Sequence, residues 1–275
     1  MATKTVFITG CSSGIGRATA VLFGERGWNV VATSRGGGLV INDAEDRSLA
    51  LPLDVASEAS VSAAVERAID RYGIINCVVN NAGVGLFSPF ESTNDAHIRD
   101  IFEVNLFGAM RVCRAFIPHL SANGGGRLIN VTSASSIVPE PLMSIYAASK
   151  AALASFSEGV RYELTCRGID VRLVEPGFVP GTCFVANTQG TSQSVPVPPA
   201  YEGFIAQRLA VYMSEQTFAP LSDQDVARGI FDAATDQSGA FRFPLGADTR
   251  EMAHMRRETS EPAYDRWVNE RFLPA

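Results

Sequence analysis

The sequence predicts an α/β fold in which a parallel sheet is covered by helices on both faces. Short apolar or β-branched runs alternate with longer segments of helical period, and this β-α-β-α order is typical of parallel sheets. The runs are continuously apolar, as in strands that are buried on both sides. At 275 residues the chain fits one large α/β domain, so we treat residues 1–275 as a single domain.

Seven strands and five main helices follow from these patterns. The predicted strands are Val6–Thr9, Val30–Thr33, Ala50–Leu53, Cys77–Asn80, Arg127–Thr132, Val171–Glu175 and Phe241–Phe243. The predicted helices are Gly16–Arg26, Val61–Tyr72, His97–Leu120, Tyr146–Arg167 and Ser222–Thr235. Only residues 36–49 join the second and third strands, so any helix between them is short.

Two segments near the C-terminus depart from this alternation. After Pro176-Gly177 the chain is rich in Ser, Thr, Pro, Gly and Gln until about Pro199, and Tyr201–Gln216 then regains helical spacing. We predict that residues 182–216 form a lid with a helical base. The charged residues 248–275 are expected to form a C-terminal extension that lies on the surface.

The composition is that of a soluble globular protein. With 46% hydrophobic and 19% charged residues, the chain is neither disordered nor a coiled coil. The net charge of −6 argues against nucleic acid or anionic lipid as a partner. We recognise no signal peptide and no apolar run near the ~18 residues of a membrane span, and therefore expect a cytoplasmic protein without a membrane partner.

The metal-ligating residue types are scattered. The five cysteines form no CxxC pair, which argues against a disulfide framework or a zinc knuckle and favours a reducing compartment. They are Cys11, Cys77, Cys113, Cys166 and Cys183. The three histidines, His97, His119 and His254, are far apart in sequence, and we predict no metal site.

A glycine-rich turn follows the first predicted strand. It reads Thr9-Gly10-Cys11-Ser12-Ser13-Gly14-Ile15-Gly16 and leads into the first helix. Glycines permit a tight turn and close approach of a ligand, and the first amides of the helix attract a pyrophosphate. The alternative is a turn without a ligand.

The end of the second strand indicates which dinucleotide would bind. An NAD site usually places Asp or Glu about twenty residues after the glycine turn, but residues 26–42 contain no carboxylate. Ser34 and Arg35 instead offer a hydroxyl and a cation that suit the 2′-phosphate of NADP, with Ser12 as a third contact. The alternative is a solvated surface arginine. Asp54 is a candidate for the adenine amino group or, equally, for a helix cap.

Tyr146 and Lys150 are the main indication of catalytic chemistry in the sequence. They lie four residues apart and so share one face of a helix. A tyrosine has a reference pKa near ~10, so a proton shuttle at pH 7 requires roughly 3 units, or ~4 kcal/mol, of bias toward phenolate. A lysine ammonium about 4 Å away at an effective dielectric of ~20 supplies about that much. Taken alone, the pair is more often an ordinary helical Tyr and Lys.

Polar residues at the strand ends accompany this pair. Ser133 follows the fifth strand and can hydrogen-bond a substrate oxygen beside the phenol. Asn80-Asn81-Ala82-Gly83 ends the fourth strand at the same sheet edge, where ligands of open α/β sheets bind. Asn105, inside the helix from His97, could hold its backbone open for a water bonded to Lys150. Ser133 could instead be a loop or cap hydroxyl, and Asn105 an imperfect helix residue.

Taken together, TGCSSGIG, LDV, NNAG, Asn105, Ser133, YAASK and EPG resemble the short-chain dehydrogenase/reductase family in order and spacing from about Thr5 to Gly177. The resemblance implies a Rossmann-like, doubly wound parallel sheet. It also implies a catalytic tetrad of Asn105, Ser133, Tyr146 and Lys150.

The same resemblance implies cofactor contacts at Gly10, Gly14, Ile15, Gly16, Asp54, Asn81 and Lys150. The full set of predicted contacts is Gly10, Ser12, Ser13, Gly14, Ile15, Gly16, Ser34, Arg35, Asp54, Val55, Asn81, Ala82, Gly83, Tyr146, Lys150, Pro176, Gly177 and Val179. Lys150 would hold the nicotinamide ribose, and Pro176-Gly177 would flank the nicotinamide. The family commonly places a threonine for the carboxamide five residues after that proline. Here that position is Gly181, and Thr182 comes one residue later.

The hypothesis is an NADP-dependent carbonyl reductase or secondary-alcohol dehydrogenase. Two alternatives remain open: an NAD-dependent alcohol dehydrogenase and a nucleotide-sensing protein without catalysis. The segments Val84–Phe90, Ile137–Met143, Phe178–Phe184 and Phe204–Met213 are rich in aromatic and aliphatic residues. They favour a bulky apolar substrate or, equally, packing in the core or at a subunit contact. The resemblance also implies a homodimer or homotetramer formed through the helices of Asn105 and Tyr146.

Overall fold

A computed structural model describes residues 3–37, 47–180, 188, 192, 194–212 and 220–273. Its strands are β1 (Thr5–Ile8), β2 (Asn29–Ser34), β3 (Ser48–Pro52), β4 (Cys77–Asn80), β5 (Gly126–Val131), β6 (Ile169–Pro176) and β7 (Arg242–Leu245). They form one sheet in the order β3-β2-β1-β4-β5-β6-β7, and every neighbouring pair is parallel. The predicted doubly wound parallel sheet is confirmed, and each strand lies within two residues of its predicted bounds.

Helices cover both faces of this sheet. They are α1 (Gly14–Glu25), α2 (Glu58–Tyr72), α3 (Asp95–Phe102), α4 (Ala109–Ala122), α5 (Ser144–Leu164), α6 (Pro199–Tyr212), α7 (Asp223–Thr235), α8 (Ala247–Glu258) and α9 (Glu261–Phe272). Ser222 caps α7: its hydroxyl accepts from Asp225 N, and the Asp225 carboxylate accepts from Ser222 N at 2.9 Å.

Strand β1 shows how the core is divided between the two faces. Phe7 belongs to the apolar cluster beneath α2 and α4, where its ring meets Phe116 edge-on at 4.8 Å. Val6 and Ile8 point into the other cluster, beneath α1 and α7. All three side chains are 0 % exposed. A strand that alternates between two buried faces has no polar positions, which explains its continuous apolar run.

The sheet reverses its winding between β1 and β4. From β1 the chain runs outward through β2 to β3, and it returns to the other side of β1 at β4. In open α/β sheets the loops on either side of such a point separate and leave a crevice beyond the strand C-termini. The predicted site residues that follow β1, β4 and β5 are therefore brought to one edge.

The long helix predicted from His97 to Leu120 is interrupted. Residues Glu103–Gly108 adopt π-helical hydrogen bonding between α3 and α4. Such insertions open the backbone ladder locally and occur often at functional sites. Asn105 lies inside this segment and is 1 % exposed.

The expectation that residues 248–275 lie on the surface is wrong for the apolar side of α8 and α9. Met252 and Phe272 are 1 % and 2 % exposed and pack with Ile137 and Val138. Their burial depends on partners more than a hundred residues earlier in the chain, whereas the charged composition reflects only the outer side of these helices.

The lid is described only in part. Helix α6 supplies the predicted helical base from Tyr201 to Tyr212, and the rest of that prediction, residues 213–216, lies outside the described residues. The same holds for residues 182–187, which include Thr182 and Cys183, and for residues 38–46 of the short connection.

Within the described ranges, no helix is long and apolar enough to cross a membrane. Over the same residues, no group of three or more His, Cys, Asp or Glu side chains is placed to hold a metal ion. The described cysteines are free thiols, and burial raises the pKa of Cys11, Cys77 and Cys113 to about 12. These three thiols stay protonated at neutral pH.

Candidate active site

A cleft of about 440 Å³ opens at the C-terminal edge of the sheet. Every predicted cofactor contact lines it, together with three residues of the predicted tetrad, Ser133, Tyr146 and Lys150. Asn105 is not part of the lining and lies behind it. The fold therefore brings residues that are scattered between positions 10 and 179 to one cleft.

The glycine turn brings backbone close to the cleft. Gly10 has φ +75°, which favours glycine. A Cβ on Gly16 would lie 2.2 Å from Gly10 O, so this helix position accepts no side chain. Helix α1 begins at Gly14, Ser13 makes no side-chain capping bond, and the first turn holds no acidic residue. The first amides of α1 thus fit a pyrophosphate.

Asn81 braces this turn against the end of β4. Its side-chain amide donates to Thr9 O at 3.0 Å and to Gly10 O at 3.3 Å. In return, Thr9 Oγ1 accepts from Asn81 N and from Ala82 N, both at 3.0 Å. These bonds fix the distance between the two loops that flank the crevice.

Ser34 and Arg35 line the cleft at the C-terminal end of β2. Ser34 is 7 % exposed and its hydroxyl donates to Gly37 O at 3.4 Å. Arg35 is exposed, and no carboxylate in the described part of the chain pairs with it. Its guanidinium is therefore available to an anion.

The helix-cap interpretation of Asp54 is wrong. Helix α2 is capped by Ser57, whose hydroxyl accepts from Ser60 N at 3.3 Å. Asp54 Oδ1 accepts from Ala56 N at 3.0 Å in the turn before that cap, and Asp54 lines the cleft. The carboxylate therefore lies where it can accept from a nucleobase.

Tyr146 is buried in the first turn of α5 with 6 % exposure. Burial raises the pKa of its phenol to about 12, and the nearby carboxylate of Glu140 also raises it. A hydrogen bond with Ser133 acts in the opposite direction. The phenol is thus neutral at physiological pH and is joined to the other hydroxyl of the predicted tetrad.

Lys150 is 4 % exposed, and its ammonium donates to Val131 O at 3.0 Å. Burial lowers the pKa of Lys150 to about 8. The sequence predicts a phenol biased toward phenolate, whereas burial is the largest influence on the pKa of Tyr146 and raises it. An effect of the Lys150 charge on that pKa stays a prediction.

Ser133 follows β5 and is the N-cap of a short 3₁₀ helix, Ala134–Ser136. Its hydroxyl accepts from Ser135 N at 3.2 Å, which is the capping role that was the alternative interpretation. The same hydroxyl bonds to Tyr146 in the cleft. The cap fixes Ser133 in position, so the two interpretations are compatible.

Asn105 acts on the cleft through the loop after β4. Its Oδ1 accepts from Val84 N at 2.8 Å, and its Nδ2 donates to Val84 O at 2.9 Å and to Ser149 Oγ at 3.0 Å. A Cβ on Gly83 would lie 3.2 Å from Lys150 Nζ and 3.3 Å from Asn105 Oδ1. Asn105 and Lys150 thus approach the same glycine from behind the cleft.

The apolar segments proposed for the substrate are divided between two roles. Phe87, Met143, Phe178 and Leu209 line the cleft. Leu86, Ile137 and Val138 belong to core clusters instead. Phe184 and Met213 lie outside the described residues. The core-packing interpretation therefore holds for Leu86, Ile137 and Val138, whereas a substrate role for the cleft-lining side chains stays a prediction.

Helix α8 forms part of the cleft wall, and no sequence motif indicated it. Asp248, Thr249 and Met252 line the cleft together with Tyr146 and Lys150. They belong to no motif, and a signal for them existed only in the helical spacing of Thr249, Met252 and Ala253, the three buried residues of α8.

Comparisons with known proteins agree with this geometry. A family model of short chain dehydrogenases matches residues 4–192. A short-chain dehydrogenase of Penicillium crustosum is 40% identical over 191 residues, which cover 68% of this chain and 70% of that protein. The crystal structure of a short-chain dehydrogenase from Streptomyces avermitilis superposes with a TM-score of 0.82 at 28% identity, covering 98% of this chain and 97% of that one.

Two further solved structures are described as cofactor complexes. A short chain dehydrogenase from Burkholderia cenocepacia in complex with NADP has a TM-score of 0.75 at 26% identity, covering 99% of this chain and 98% of that one. A 3-ketoacyl-(acyl-carrier-protein) reductase from Brucella melitensis complexed with NADH has a TM-score of 0.72 at 26% identity, covering 87% and 93%. These similar structures therefore include both nicotinamide dinucleotides.

Proposed function

The chain belongs to the short-chain dehydrogenase family, and on this premise we propose that it is an NADP-dependent oxidoreductase that interconverts a ketone or aldehyde with an alcohol. The observation that carries the proposal is the hydrogen bond between Tyr146 and Ser133, inside the cleft that the glycine turn borders. A neutral phenol and a second hydroxyl can both donate a hydrogen bond to a substrate oxygen that gains negative charge.

The chemistry is divided between the cofactor and the chain. The nicotinamide supplies or accepts a hydride when it is bound. Ser133 and Tyr146 hydrogen-bond the substrate oxygen, and Tyr146 delivers a proton to the developing alkoxide. Lys150 orients the nicotinamide ribose, and Asn105 positions the loop after β4. Because burial keeps the phenol protonated at neutral pH, Tyr146 is in the state that can donate a proton during reduction.

The preference for NADP rests on the adenosine end. Arg35 supplies a cation without a carboxylate partner in the described ranges, and the hydroxyls of Ser34 and Ser12 line the same part of the cleft. Charge-assisted hydrogen bonds to a 2′-phosphate are stronger than neutral ones. Residues 26–42 offer no carboxylate to the ribose hydroxyls that an NAD site would bind.

The substrate is expected to be bulky and largely apolar. Phe87, Met143, Phe178, Leu209 and Met252 face the cleft. Burial of apolar substrate surface against such side chains favours binding. We also expect a cytoplasmic homodimer or homotetramer, in which the helices of Asn105 and Tyr146 form the contact.

A screen of ketones and secondary alcohols with both cofactors tests this function, with absorbance of the reduced nicotinamide as the readout. Turnover with NADPH at a KM well below that for NADH is the expected result. Preference for NADH with alcohol oxidation would establish the NAD-dependent alternative. Cofactor binding without turnover over the whole panel would favour the nucleotide-sensing alternative.

A further inference from the structure

The loop after β3 is held by two different helices. Asp54 is held from the start of α2, because its N donates to Ser60 Oγ at 3.0 Å and its O accepts from Ser57 N at 3.1 Å. Val55 is held from α4, because its O accepts from Arg111 Nη1 at 3.2 Å. Within the described residues, no other donor reaches this carbonyl. The orientation of the Val55 carbonyl therefore depends on Arg111.

Arg111 acts on this loop from behind the cleft. Its side chain is 25 % exposed and does not line the cleft, whereas Val55 does. Its Nη2 pairs with the carboxylate of Glu103 in the π-helical segment at 2.5 Å. One turn before Arg111, a Cβ on Gly108 would lie 2.7 Å from Val55 Cγ2. The start of α4 thus contacts both the side chain and the carbonyl of Val55, and the ion pair directs the guanidinium.

The bond from Arg111 reaches the Asp54 carboxylate through a single peptide group. The C=O of Val55 and the N–H of Ala56 belong to the same peptide, which is planar and rotates as one unit. That N–H donates to Asp54 Oδ1 at 3.0 Å. Rotation of the peptide would therefore remove the hydrogen bond that orients the carboxylate. Arg111 opposes this rotation because it holds the carbonyl.

The same loop lies beside the residues proposed for the 2′-phosphate. Leu53 N donates to Ser34 O at 2.9 Å, which joins the loop to the end of β2. Ser34, Arg35, Asp54 and Val55 all line the cleft. An adenosine 2′-phosphate bound at Arg35 therefore has this loop as a neighbouring wall.

We propose that Arg111 is a positioning residue for recognition of the base, an inference that rests on the proposed function. By holding the peptide after Val55, it keeps the Asp54 carboxylate aligned to accept from the amino group of adenine. Hydrogen bonds to an ionised carboxylate are stronger than neutral ones, and hydrogen bonds weaken steeply when they are misaligned. Loss of Arg111 should therefore reduce the preference for a base that carries an amino group.

Two nucleotides that differ only in the base test this role. Dissociation constants are measured by calorimetry for NADPH and for its hypoxanthine analogue, in which a carbonyl oxygen replaces the amino group. Arg111→Met removes the donor to Val55, Arg111→Lys retains a cationic donor, and Asp54→Ala removes the carboxylate itself. Arg114→Met, at an exposed position of the same helix outside the cleft lining, is the matched control.

We expect the wild-type protein and Arg114→Met to bind NADPH about 10-fold more tightly than the analogue, the range of one hydrogen bond to a charged group. In Arg111→Met and Asp54→Ala this ratio should fall below about threefold, with affinity for the analogue within about twofold of wild type. Arg111→Lys should retain most of the ratio.

Equal losses of affinity for both nucleotides in Arg111→Met would indicate a general structural effect and overturn the inference. An unchanged ratio in either Arg111→Met or Asp54→Ala, or a wild-type protein that binds both nucleotides alike, would also overturn it while the proposed function stands. If the wild-type protein binds neither NADPH nor NADH, the proposed function itself fails and the inference fails with it. If it binds only NADH, the comparison uses NADH and its hypoxanthine analogue.

Discussion

Asn105 pairs with both backbone polar groups of Val84. Its side chain accepts from Val84 N at 2.8 Å and donates to Val84 O at 2.9 Å. Asn105 belongs to the π-helical segment, and Val84 belongs to the loop after β4. These two hydrogen bonds connect the π-helical segment to the part of the cleft lining that lies next to Lys150.

Replacement of Asn105 by Ala should destabilise the fold. The change leaves both polar groups of Val84 without their partner, and unpaired buried groups cost about 1–3 kcal/mol each. We expect the free energy of unfolding in urea to fall by about 2–4 kcal/mol and turnover to fall with it. The control is Asn123→Ala at the exposed end of α4, which should change stability by less than about 1 kcal/mol. Equal stability of the two variants would contradict this role for Asn105.

Replacement of Lys150 by Met should stabilise the fold at neutral pH while it removes activity. Burial lowers the pKa of Lys150 from 10.5 to about 8, so between these values the unfolded chain holds a proton that the folded chain lacks. Stability therefore rises with pH through this window, and below pH 8 the wild type bears the full penalty, about 3 kcal/mol. The lost bond to Val131 offsets about 1 kcal/mol.

Urea unfolding of both proteins at pH 7 and pH 10 measures this effect. The variant should be more stable by about 1–2 kcal/mol at pH 7, and its advantage should shrink as the pH rises. A variant that is less stable than wild type at pH 7, with a deficit that shrinks toward pH 10, would contradict the prediction.

The predictable part of this protein is the part that local sequence determines. Apolar runs indicated every strand, and the glycine turn, NNAG and YAASK each indicated one piece of the cleft. The rest depends on contacts between distant segments. The burial of Met252 by Ile137 and Val138, and the burial that raises the pKa of Tyr146, arise only when the chain is folded. The π-helical segment also depends on contacts between distant segments. The hydrogen bonds of its Asn105 reach Val84 in the loop after β4 and Ser149 in α5.

The two directions of the reaction should respond differently to pH. Since the pKa of Tyr146 is about 12, the phenol is protonated at neutral pH, and the rate of reduction should be flat between pH 6 and 7.5. Oxidation needs the phenolate and should rise by up to about tenfold per pH unit. Glu140→Gln removes a negative charge that raises this pKa, so oxidation at a fixed pH should become faster. Initial rates in both directions measure this, and slower oxidation by Glu140→Gln would be inconsistent with it.

Replacement of Arg35 by Ala tests cofactor choice. Loss of a charge-assisted bond to the 2′-phosphate should raise the KM for NADPH by about 10- to 100-fold and leave the KM for NADH nearly unchanged. Arg99→Ala is the control, because Arg99 is an exposed residue of α3 away from the cleft lining. A similar rise in KM for both cofactors would show that Arg35 does not recognise the phosphate.

Replacement of Tyr146 by Phe tests the central claim that this phenol is the proton donor of the reaction. The measurement is single-turnover oxidation of bound NADPH by a carbonyl substrate from the screen, with the NADPH dissociation constant measured on the same preparation. We predict a rate lower by about 10²- to 10⁴-fold with NADPH affinity within about threefold of wild type, whereas Tyr162→Phe on the exposed end of α5 behaves as wild type. An unchanged rate for Tyr146→Phe would contradict the account.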